Sequence, residues 1–158
     1  MKIRNVHQRV IPAPIEEVGP LLETLASKED KIWSRKWPPI RFREGMEIGK
    51  PGGHGPIRYI IESYSKAKSI HFRFTKPEGF QGVHFFEFFQ MSDQETLVRH
   101  EVNMETTGKA VWSWMMIYGP LHDALIEDTF DRIESNFQAP SNPNTWSPWV
   151  KFLRYLLK

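Results

Sequence analysis

Ile3, Val6, Val10 and Ile11 are β-branched and closely spaced, which predicts a strand over residues 2–11. Pro12-Ala13-Pro14 ends it, and the fixed φ of Pro14 suits the first position of a helix. Ile15, Val18, Leu21, Leu22 and Leu25 then recur at helical spacing. Gly19-Pro20 interrupts them, because proline lacks a backbone donor, so two short helices are expected. Residues 33–56 are loop-rich, with short strands expected over 41–44 and 46–49 and a turn or flexible loop over 51–56. Strands follow over 57–64, 69–76, 82–91 and 95–106, each closed by a polar turn, and predict an antiparallel meander.

Alternation assigns the faces of these strands. Ile70, Phe72 and Phe74 share one face, as do His84, Phe86 and Phe88, and again Val98, His100, Val102 and Met104. Phe85 and Phe89 are left on the outer face, where they need a cover. Arg58 and Glu62 are expected as an outer-face pair, with Glu101 and Glu105 solvated.

Residues 109–137 read as one helix. Its apolar stripe runs through Val111, Trp114, Tyr118, Leu121, His122, Leu125, Thr129 and Ile133. Asp123, Glu127, Asp131 and Glu134 lie on the opposite side, and Gly119-Pro120 predicts a kink or break. The chain therefore divides into an α+β domain at 1–137, a proline-bearing linker at 138–145 and an amphipathic helix at 146–158. In that last helix Trp149, Phe152, Leu153, Leu156 and Leu157 form a stripe among Lys151, Arg154 and Lys158.

Composition narrows the function classes. The net charge of +2 implies no general attraction to nucleic acid. The absence of cysteine removes disulfides, thiolate metal sites and thiol nucleophiles. There is no signal-like apolar start and no run of about eighteen apolar residues, so cytoplasmic residence is the default expectation. The eleven Phe and six Trp residues can fill a solid core or line a generous cavity.

Ile11-Pro12-Ala13-Pro14-Ile15-Glu16-Glu17-Val18 resembles the opening "apolar–x–Ala–Pro–x–Glu–x–Val" segment of the START-like superfamily, also called Bet v 1-like or polyketide cyclase/dehydrase-like. Residues 79–87 leading into Leu97-Val98-Arg99-His100, and Pro120 to Asp128, are similar to it as well. The resemblance covers residues 3–137. It implies a helix-grip fold, in which a curved antiparallel sheet wraps a long C-terminal helix. Such proteins bind lipids, sterols, polyketides or plant hormones, and some catalyse cyclisation or dehydration. It carries over no defined catalytic set. The departures are the C-terminal segment, Gly119-Pro120 and the two-tryptophan loop.

The implied cavity would hold a hydrophobic small molecule against Trp33, Trp37, Tyr59, Phe72, Phe74, His84, Phe86, Phe88, His100, Trp114, Tyr118 and His122. His84, His100 and His122 are the candidate acid/base residues, against the alternative that they are core histidines satisfied by hydrogen bonds. Trp33 and Trp37 read either as a lid whose indole N–H orients a ligand or as core. No cofactor and no metal are expected. An enzyme of the cyclase/dehydrase type and a regulatory module tethered by its tail remain the rival functions. The tail itself reads as docked on its own domain or on the second subunit of a homodimer, over Phe85 and Phe89, as a weak membrane-surface contact, or as a disordered or partner-binding segment.

Overall fold

A computed structural model describes residues 1–157. Six strands form one antiparallel sheet: β1 (Lys2–Ile11), β2 (Pro51–His54), β3 (Ile57–Ser65), β4 (Ser69–Lys76), β5 (Phe80–Ser92) and β6 (Glu95–Thr106), in the spatial order β1-β6-β5-β4-β3-β2. A short helix α1 (Ile15–Val18) and a two-turn 3-10 segment (Gly19–Thr24) follow β1. The long helix runs from Lys109 to Glu134 as α2 (Lys109–Ser113), a wider π-helical turn (Trp114–Tyr118) and α3 (Gly119–Glu134). It ends three residues before the expected 137. The tail carries α4 (Pro148–Leu156). Among the described residues no helix is long and apolar enough to cross a membrane.

The π turn is how the helix accommodates Gly119-Pro120. The Gly119 N–H reaches back to the Trp114 carbonyl, one residue further than in an α-helix. Pro120 has no N–H to give the Met116 carbonyl, and the Trp149 indole of the tail donates to that oxygen at 2.8 Å. The helix therefore widens and continues instead of breaking.

The sheet buries Tyr59, Ile61, Ile70, Phe72, Phe86 and Val98 against Leu125, Ile126, Phe130 and Ile133 of α3. Register places His7 of β1 opposite His100 of β6, and His100 opposite Phe86 of β5.

Several expectations are corrected. No strands form at 41–44 or 46–49, where only Arg41 bridges to Gly53. Instead, the supposed turn at Pro51-Gly52-Gly53-His54 is the edge strand β2. A β-carbon on Gly52 would collide with the Phe42 ring, so glycine lets that ring lie flat on the strand. A bulge between Ile61 and Ser63 separates Arg58 from Glu62. Glu62 pairs with Arg73, while Arg58 donates to the Gly55 and Ile57 carbonyls. Glu101 is buried under Arg4 and Arg99, not solvated.

Val6 and Val10 face solvent, and the inner face of β1 presents Asn5, His7 and Arg9. Asp123, Glu127, Asp131 and Glu134 of the long helix pair with this face, although Asp123 remains half exposed. Arg9 binds Asp131 at 2.6 Å, Glu127 at 2.8 Å and Glu134 at 3.2 Å. Asn5 donates to Asp123 at 2.9 Å.

The tail packs away from Phe85 and Phe89. Phe85 is covered by His71, at a ring separation of 4.6 Å, and Phe89 stays exposed. Buried Asp128 anchors the tail by accepting from the Trp37 indole at 2.8 Å, the Trp146 indole at 2.7 Å and the Asn144 amide at 3.2 Å. Lys36 completes that group at 2.8 Å. Ser147 caps α4 by accepting from the Val150 N–H, and Pro148 follows at the first helical position. Val150 and Leu153 are its buried residues, and Arg154 lies over the Trp37 ring at 4.5 Å.

Candidate ligand-binding site

Between the sheet and the long helix lies a cavity of about 460 Å³. Its size falls in the range of small-molecule sites. Eight of the twelve expected residues stand on its wall: Trp33, Trp37, Phe74, His84, His100, Trp114, Tyr118 and His122. The other four do not. Tyr59, Phe72, Phe86 and Phe88 are packed into the core beneath it. Alternation had placed them on the correct face, but the wall is set by position along each strand.

Sequence reasoning put the glycine-rich segment near the cavity mouth, and His54, the last residue of β2, and Gly55 stand on the wall. It did not single out Leu121, Leu125 and Ile126 of α3 as lining. Arg154 and Leu157 bring the tail to the cavity. Trp33 and Trp37 line the cavity by their rings, while their N–H groups donate elsewhere. Trp33 donates to the Pro38 carbonyl at 2.9 Å and Trp37 to Asp128.

The histidines form a row through this apolar space. Ring centroids are 5.6 Å apart for His84 and His100, 5.0 Å for His100 and His122, and 5.8 Å for His122 and His7. Buried Nε2 of His84, Nδ1 of His100 and both ring nitrogens of His122 have no hydrogen-bond partner in the protein. The buried Tyr59 hydroxyl, whose ring packs on His84 at 4.8 Å, is also unpaired. His122 Nδ1 lies 3.5 Å from Asp123 Oδ1, outside hydrogen-bond geometry. Burial, reinforced by neighbouring imidazoles, holds His84 and His100 well below the ordinary histidine range. Burial lowers His122 too, outweighing the opposing effect of Asp123. His54 is pushed down to about 3 by burial and by the nearby His122 and Arg58. These four rings are neutral at pH 7.

His7 behaves oppositely. Burial disfavours its charge, yet hydrogen bonds to Asp123 at 3.1 Å and Glu127 at 2.7 Å win and raise it to about 9. His7, His122 and Asp123 each bring a ligand-type atom within 4.8 Å of the others. Two of those three are already committed, since both nitrogens of His7 hold carboxylates and Asp123 Oδ1 takes His7 and Asn5. His7 and Asp123 thus stand as an ion pair behind His122, which itself lines the cavity.

No family model matches the chain, and no curated protein matches it in sequence. Solved structures do match its backbone. A START superfamily protein from Mycobacterium smegmatis superposes with a TM-score of 0.54 at 10% identity, over 84% of this chain and 95% of that one. Norcoclaurine synthase from Thalictrum flavum, a point mutant in complex with a transition-state analogue, gives 0.61 at 9% identity over 86% and 95%. The chain has the START-like, Bet v 1-like helix-grip fold. CalU16 from Micromonospora echinospora shares it, with a TM-score of 0.63 at 13% identity over 99% of this chain and 84% of that one. At such identities a helix-grip likeness concerns the backbone alone, and the site must be argued from its own residues.

Proposed function

We propose that the chain binds a hydrophobic small molecule carrying one polar group, which the imidazoles of His84, His100 and His122 receive at the inner end of the cavity. One observation carries this reading: buried imidazole nitrogens without protein partners stand in an otherwise apolar cavity. Each such nitrogen costs about 1–3 kcal/mol while unpaired. A ligand hydroxyl or carbonyl recovers that cost, and the aromatic wall supplies affinity by burial. The helix-grip fold supports the reading, since norcoclaurine synthase holds a transition-state analogue on the same backbone.

The test uses an anilinonaphthalene sulfonate dye, followed by displacement with aromatic ketones and alcohols of increasing size. The dye is expected to bind once per chain and to brighten. Leu125→Trp fills the cavity and is expected to abolish binding while the chain stays folded. His84→Phe and His100→Phe are expected to keep the dye but lose the preference for hydroxylated over plain hydrocarbons. Equal binding of both classes by the parent chain defeats the proposed role of the imidazoles.

A second reading, proton-transfer catalysis on a bound carbonyl compound, is favoured by the charged His7–Asp123–Glu127 group beside neutral His122. His122 would exchange the proton, and His7 would set the local field. Turnover of a candidate ketone that His122→Gln leaves unchanged rejects this reading.

A further inference from the structure

We propose that the apolar collar at the mouth of the cavity docks on an anionic lipid surface. The collar is built by two segments. The π turn and its approach leave Trp112, Met115 and Met116 exposed, with Trp112 69% open to solvent. The tail adds Phe152, Leu156 and Leu157, with Leu156 59% open. The Trp149 indole joins the two by its bond to the Met116 carbonyl at 2.8 Å, and its ring stacks on Phe152 at 5.5 Å. A continuous exposed apolar surface of this kind marks an interaction site in a folded chain.

The charge of the same segments selects the partner. Residues 109–122 and 138–158 contain no Asp or Glu, although the chain has 19 of them. They carry Lys109, Lys151, Arg154 and Lys158. Lys109 and Lys151 are exposed. An apolar face whose own segments carry exposed lysines and no acid suits a lipid surface with negative headgroups, where apolar insertion and electrostatic attraction act together. A second copy of the chain fits poorly, because a two-fold contact would set these lysines against each other with no acid between them.

The collar is continuous with the cavity. Ile117 and Leu157 belong to both, as exposed side chains and as lining. A hydrophobic ligand could then pass between the acyl region and the cavity without crossing water. Docking itself holds whether or not the cavity takes a ligand, so its test is separate from the one above.

The full chain is mixed with vesicles of phosphatidylcholine alone and of equimolar phosphatidylcholine and phosphatidylglycerol, and bound protein is read by co-sedimentation. Binding to the anionic vesicles is expected, with loss at high salt and a blue shift of tryptophan emission. Trp112→Ser with Phe152→Ser should lower partitioning by on the order of tenfold or more, since both side chains are exposed and would insert. An unchanged urea midpoint shows that the variant remains folded. Lys109→Glu with Lys151→Glu should remove the preference for the anionic vesicles. Absence of binding to either vesicle overturns the proposal, as does a doubly Ser-substituted chain that partitions like the parent. A dimer that the same substitutions dissolve, in a chain that ignores vesicles, reassigns the collar to self-association.

Discussion

Replacing Asp128 by Ala tests what holds the tail in place. The side chain is buried and accepts from the indoles of Trp37 and Trp146, the Asn144 amide and the Lys36 ammonium. Lys36 is 56% exposed and returns to water at little cost. Asn144 keeps its bond to the Ala124 carbonyl at 3.0 Å. The two indole N–H groups have no such alternative. Leaving buried Trp37 unpaired costs about 1–3 kcal/mol, and half-buried Trp146 adds roughly half as much. With the lost charge-assisted bonds, the substitution should destabilise the chain by about 3–5 kcal/mol. Urea unfolding followed by tryptophan emission measures it, and Trp37→Phe resolves its cause. Removing donor and acceptor together is less costly than the sum of the single changes, because neither partner is then orphaned. A loss below about 1 kcal/mol for the Ala variant refutes the anchoring role. So does strict additivity in the double variant.

Two further outcomes follow from the fold. The pKa of His7 is raised by folding, so its stabilisation is complete below the unfolded value near 6.5 and is lost as pH rises through about 9. Solvent reaches the pair, so the loss is set at about 1–2 kcal/mol between those limits. It appears as the difference between the pH–stability curves of the parent and His7→Gln, and parallel curves contradict it. Gly52→Ala drives a β-carbon into the Phe42 ring and should cost about 1–3 kcal/mol. A second change, Phe42→Leu, should restore part of the thermal midpoint. No loss in the first variant means that β2 does not pack as described.

What was legible in the chain follows the range of each signal. β1 and β3 to β6 emerge from local alternation and turn residues, so their bounds lie close to the observed ones. β2 does not, because the requirement for Gly52 comes from Phe42, ten positions away in sequence, and a Pro-Gly-Gly string otherwise reads as a turn. The inner face of β1 was hidden for a related reason. Val6 and Val10 are apolar, yet they face out, while only Ile3 and Ile11 at the strand's ends are buried. Arg9 and His7 face in because acids at positions 123, 127, 131 and 134 meet them from the helix. That spacing was visible in the sequence, and pairing it with the cationic alternate residues of β1 would have exposed the seam.

The two sides of the long helix show why the histidine row is difficult to explain as scaffold. On the β1 side, Arg9 and His7 each find two or more carboxylates, and the fold matches charge with charge. On the cavity side, one helical face away, His84, His100 and His122 leave nitrogens unmatched. A purely structural interior would be more stable with Phe or Leu at those positions, since buried polar groups without partners cost free energy and apolar replacements fill space. The same chain pairs the charged groups of one cluster and leaves the imidazoles of its neighbour open. The difference lies in what each faces: β1 across a packed seam, and a cavity wide enough for a molecule that is not part of the chain.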